Sequence, residues 1–111
     1  MNYHNKKFKV VYSSSNGDID DKMIFHYVQN GNVLSCSYSG PEILSGHLIG
    51  LVNEDGAIEM RYHQVNSEGE LKTGKCDSIP EVMPNGKMRL NETWQWLSGA
   101  EGSGTSILEE V

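Results

Sequence analysis

The chain reads as an all-β protein: an antiparallel meander of about eight strands, closed or nearly closed into an up-and-down barrel. Three observations carry that reading. Short runs alternate apolar and polar residues with a period of two, which turns one face of a strand toward a core and the other toward solvent. Clusters of Asn, Gly and Pro, the residues that turns need, separate these runs. No window of 11 or more residues repeats apolar positions at spacings of three and four behind a capping residue, so no helix can be placed.

Taken in order, residues 8–12 alternate as a first strand. A polar stretch follows, with Asn16-Gly17 as its turn signal and the acidic run 18–21 continuing the loop. Residues 23–28 are rich in aromatic and β-branched side chains and form a second strand. Asn30-Gly31-Asn32 predicts a tight hairpin, because Asn and Gly accept the positive φ such turns require. In the third strand, 33–38, Leu34, Cys36 and Tyr38 share one face and Ser35 and Ser37 the other. Gly40-Pro41 turns the chain into a fourth strand over 43–52, where Gly46 and Gly50 mark candidate bends. The turn at 53–56 leads to a fifth strand over 57–65, and the turn at 66–69 to a sixth over 71–78. Residues 79–86 contain two prolines, so Glu81-Val82-Met83 reads as an edge piece or loop. Residues 88–97 form the seventh strand, 98–104 a flexible Gly/Ser turn, and 105–110 the last strand. Consecutive hairpins build a barrel without long crossovers, and closure removes exposed sheet edges. A barrel of eight strands has room for a side-chain core or for one small ligand.

A length of 111 residues suits one domain, residues 1–111, able to bury a core without disulfide or metal support. A net charge of −6 argues against a nucleic-acid partner. Lys6, Lys7 and Lys9 cluster near the N-terminus and read as a solvated strand edge. No apolar run approaches the ~20 residues of a membrane helix, and residues 1–10 carry no apolar leader segment. A reducing, cytoplasmic setting is expected, with Cys36 and Cys76 as free, buried thiols. His4, His26, His47 and His63 show no metal-ligand spacing, so neither a metal nor a cofactor is expected.

The chemistry concentrates on two strands. On the seventh, Met88, Leu90, Glu92, Trp94 and Trp96 share one face, which is apolar with a carboxylate in its middle. Inside a barrel that carboxylate must find a partner or stay protonated. On the fifth, Ile58, Met60, Tyr62 and Gln64 form the expected inner set, and Glu59, Arg61 and His63 the expected solvated one. A one-residue slip of register would exchange the two sets. The candidate ligand-binding residues are therefore Met60, Arg61, Tyr62, His63, Gln64, Glu92, Trp94 and Trp96, with Trp94, Trp96, Tyr62 and Met60 as wall and Glu92, with Gln64 or Arg61, orienting a polar end. His47 and His63 fall near each other across the turn at 53–56.

No pattern fixes a reaction. The reading that follows is a small-molecule-binding barrel for a partly apolar ligand. Its rivals are a small barrel enzyme using Glu92 or His63 as general base, and a protein-interaction or homodimer module whose contact is an exposed Trp94/Trp96 patch.

The segment 45–52, the run Met60-Arg-Tyr-His-Gln-Val65 and the pair Trp94-Gln-Trp96 resemble a small family of bacterial proteins of about this length, some of which carry the name N-acetylglutamate synthase. The resemblance spans residues 25–96 and implies a single β domain. The acetyl-CoA chemistry in that name calls for glycine backbone amides opening a helix around a pyrophosphate, and no strand–loop–helix segment here supplies them. In strand count and turn rhythm the chain is also similar to lipocalin-like barrels, a likeness of fold that does not carry function.

Overall fold

A computed structural model describes residues 2–14 and 19–111. The Asn16-Gly17 turn expected from the sequence lies outside the described residues. Nine antiparallel strands form a single sheet: β1 (Lys7–Ser13), β2 (Ile24–His26), β3 (Val28–Asn30), β4 (Val33–Tyr38), β5 (Ile43–Val52), β6 (Ile58–Asn66), β7 (Leu71–Val82), β8 (Met88–Ser98) and β9 (Ser103–Glu110). Among the described residues there is no helix, and so none long and apolar enough to cross a membrane. The strand order is β2-β1-β9-β8-β7-β6-β5-β4-β3, so the chain from β3 to β9 is an uninterrupted meander.

The two ends of this ribbon are one piece of chain. The second strand expected from the sequence is split at Tyr27 into β2, paired with β1, and β3, paired with β4. At the break the Tyr27 N–H donates to the Lys6 carbonyl and the Tyr27 carbonyl accepts from the Asn5 N–H, both at 2.9 Å. The segment thus leaves one edge of the sheet and joins the other, which nearly closes the barrel. The break has a packing reason: Tyr27 is fully buried, its ring tilted against Phe8 with centroids 5.1 Å apart.

The same cluster plugs one end. Tyr3, from the N-terminal arm, packs on Phe8 and Tyr27 and donates its hydroxyl to the Gly56 carbonyl in the β5–β6 turn. The opposite end is rimmed by the β4–β5, β6–β7 and β8–β9 turns. The alternation that the sequence displays is the alternation of burial. On β8, Met88, Leu90, Glu92, Trp94 and Trp96 are all buried, while Thr93 and Gln95 are exposed.

Of the two readings for residues 81–83, edge piece or loop, the structure shows the edge piece at Glu81 and Val82: β7 runs on to Val82 through Pro80. Beyond Ser78, which faces Ile58, β6 supplies no further partner, and residues 79–82 pair with β8 alone. Pro80 therefore sits on a one-sided edge, where its missing N–H is tolerated. In β5 the ladder keeps its register across Gly46 and Gly50 and slips between Ile43 and Ser45. The last strand begins at Ser103, two residues earlier than expected, and shortens the Gly/Ser turn.

Candidate functional site

Large side chains on the inner face would fill so small a barrel. Glycines on neighbouring strands prevent this. An added Cβ on Gly46 would collide with the Tyr38 ring, one on Gly74 with the Tyr62 ring, and one on Gly104 with the Trp94 ring. Each pair lies side by side in the ladder: Tyr38 with Gly46, Tyr62 with Gly74, Trp94 with Gly104. The rings therefore lie along the wall, over backbone that has no side chain, and the middle of the barrel stays open.

The space left is a cavity of about 70 Å³. A single water takes roughly 10–15 Å³ in this measure, so the cavity holds a handful of water-sized groups. Its wall is rich in rings: Phe25, Tyr27, Tyr38, Tyr62, Trp94 and Trp96 all line it, with Leu48, Met60 and Leu108 among the other lining residues. Trp96 meets both Tyr62 and Trp94 edge-on, at centroid distances of 5.6 and 5.9 Å, the geometry that ring quadrupoles favour. At the rim, Tyr38 donates its hydroxyl to Gln64 Oε1 at 3.0 Å.

A polar rung crosses this apolar interior. Ser78, Glu92 and Ser106 face one another on β7, β8 and β9. All three are buried, and Glu92 also lines the cavity. Ser106 Oγ donates to Glu92 Oε1 at 3.0 Å. Ser78 Oγ, on the other flank, makes no hydrogen bond but lies near enough to favour the ionised carboxylate. Burial is the stronger influence and pushes the Glu92 carboxyl from its ordinary 4.5 up to about 7. Burial also raises the Tyr27 hydroxyl and the Cys76 thiol, and the nearby Glu92 charge adds to both shifts. Neither thiol forms a disulfide, and neither is activated.

The rung and the indole above it leave two buried polar atoms without partners, Ser78 Oγ and Trp94 Nε1. An unsatisfied buried donor costs about 1–3 kcal/mol. The interior thus presents one carboxyl group poised near neutrality, set among rings. Such an arrangement can hold a small molecule that carries a polar or charged group on a hydrocarbon body.

The full length of the chain, residues 1–111, matches the family described as avidin-like protein. The chain belongs to the avidin-like family. Neither the curated proteins nor the solved structures give a significant match.

Of the residues singled out in the sequence, this avidin-like barrel gathers Met60, Tyr62, Gln64, Glu92, Trp94 and Trp96 around one cavity. Arg61 and His63 lie on the expected solvated face and not in the alternative, inward register. Both project from the outer face, exposed, because β6 keeps the register that sends Met60, Tyr62 and Gln64 inward. The Arg61 guanidinium folds back on the Met60 carbonyl at 3.1 Å. His47 and His63 do face each other, with ring centroids 5.6 Å apart, on the outer face of the sheet and away from the cavity lining. An exposed Trp94/Trp96 contact patch is overturned: the two residues are 5% and 7% exposed. Among the described residues, no group of three or more His, Cys, Asp or Glu side chains is placed to hold a metal ion.

Sequence reasoning missed Ser78 and Ser106. Only the pairing of β8 with both neighbours reveals that they flank Glu92. It missed Phe25, Tyr27, Tyr38 and Leu48 as wall because their strands carried no charge to attract notice. Ile19 reaches the cavity from the loop before β2, and no pattern announces it.

Proposed function

We propose that this avidin-like protein binds a small, partly apolar molecule in the barrel lumen, with Trp94, Trp96, Tyr62 and Met60 as the wall and Glu92 orienting the polar end. One observation carries the reading: a ring-lined cavity contains a buried carboxyl group, and no lysine, arginine or histidine among the described residues lines the cavity beside it. Pockets that bind metabolites have this make-up, apolar walls with a few placed polar groups. Family membership supports the same class of function. Two free, buried thiols and the acidic net charge fit a cytoplasmic protein that does not bind nucleic acid.

The test is a metabolite screen by thermal shift and intrinsic tryptophan fluorescence, with biotin among the compounds. At least one compound is expected to raise the unfolding temperature and change the fluorescence. Trp94→Phe and Trp96→Phe should weaken that compound. If both substitutions leave every affinity intact, the wall is misassigned.

A second reading rests on the Glu92 value of about 7, which suits a general base. Catalysis would appear as product in an NMR time course with a screened compound and vanish in Glu92→Gln. A pure binder would return every compound unchanged.

A further inference from the structure

The chemistry of the lining narrows the ligand class, an inference that rests on the lumen-binding reading above. Among the described residues that line the cavity, Glu92 is the only charged group; none is Lys, Arg or His. Six aromatic rings surround it, and the face of each carries the negative side of its quadrupole. The chain as a whole adds a net charge of −6.

Each ligand charge meets this interior differently. An anion would lose its hydration beside a carboxylate, with no cation among the residues that line the cavity. A neutral molecule would leave Glu92 uncompensated whenever it ionises. A cation supplies the missing counter-charge to Glu92 and gains attraction from the ring faces, a term that grows when water is excluded. The barrel already shows one such contact: Lys72 Nζ lies 5.3 Å from the Trp96 ring centroid. We propose that the lumen selects a small protonated amine, its ammonium group against Glu92 and its hydrocarbon body against Trp94, Trp96 and Tyr62. The size of the cavity limits that body to a handful of carbon atoms.

Three probes of one shape and different charge test this on the full chain at about pH 8, where Glu92 is largely ionised: cyclohexylammonium, cyclohexanol and cyclohexanecarboxylate. Binding is read by tryptophan fluorescence and calorimetry. Cyclohexylammonium should bind at least about tenfold more tightly than cyclohexanol, and the carboxylate should not bind. Glu92→Gln, checked for folding by circular dichroism, should cut the preference to under about threefold. The comparison among probes on the wild-type protein stands even if that variant does not fold. Cyclohexanol or the carboxylate binding as well as the ammonium would overturn the amine assignment and leave lumen binding intact. No binding by any of the three would also overturn it. The metabolite screen then separates the two failures, since a neutral binder preserves the lumen reading and a screen without binders removes both.

Discussion

Ser106 Oγ donates a 3.0 Å hydrogen bond to Glu92 Oε1 across the β8–β9 ladder, and it is the one formed side-chain hydrogen bond seen on the only acid lining the cavity among the described residues. No lysine or arginine shares the lining. A hydroxyl stabilises a carboxylate far less than an ion pair would, so burial prevails and the carboxyl titrates near neutrality.

Stability should therefore fall as the pH rises through this range. Glu92 holds its proton up to about pH 7 in the folded protein, against 4.5 when exposed. Between those values the folded state binds more protons than the unfolded one, so each step up in pH favours unfolding. The contribution is fully present below 4.5 and lost once the pH passes 7. Its size is about 3 kcal/mol. Denaturant unfolding of wild type and Glu92→Gln at several pH values isolates it, because the remaining groups are common to both proteins. The variant should gain on wild type as the pH goes from about 5 to about 8.

Removing the hydroxyl should move the acid further. In Ser106→Ala the carboxylate loses its donor, and the Glu92 pKa should rise above about 7. At pH 8 the substitution should cost about 1–3 kcal/mol, the range for a hydrogen bond to a charged group and the unsatisfied atom it leaves. A carbon-detected NMR titration of the Glu92 carboxyl reads the first effect, and urea unfolding reads the second.

The wall glycines make a steric prediction. A methyl group at Gly74 meets the Tyr62 ring, which has backbone on one side and the lumen on the other. Gly74→Ala should push the ring inward, shrink the cavity and cost about 1–3 kcal/mol, as overpacking does. Loss of affinity for a screened compound together with a lower unfolding temperature is the expected pair of results. A compound bound with unchanged affinity would show that the ring has another way out.

Outer-face substitutions should be silent. Arg61 and His63 project away from the cavity. Arg61→Ala and His63→Ala should leave ligand affinity within about twofold and stability within about 0.5 kcal/mol of wild type. A tenfold loss in either, by calorimetry, would mean that the ligand sits on the outside of the sheet.

Much of this fold is legible in the chain because period-two patterning is a direct consequence of a two-sided strand. Met88, Leu90, Glu92, Trp94 and Trp96 can be sorted to one face without coordinates, and Asn30-Gly31 announces its hairpin. What the sequence conceals is relational. The strand broken at Tyr27 is continuous in pattern, and only the docking of Tyr3 and Phe8 shows why it parts. Pro80 argues against a strand unless one knows that β6 has already ended beside it. The site divides the same way. The acid between indoles is visible from alternation, while the serines on its flanks and the glycines under the rings depend on which strands are neighbours. Arg61 and His63 entered the candidate set because register cannot be read from one strand alone.

The most direct measurement is the indole N–H NMR spectrum of Trp94 and Trp96 during titration with a metabolite library. Lumen binding predicts that at least one compound shifts both resonances with saturation, and that Glu92→Gln weakens that compound by about tenfold or more. Compounds that bind while both indole resonances stay fixed, or a library that moves neither, would contradict it.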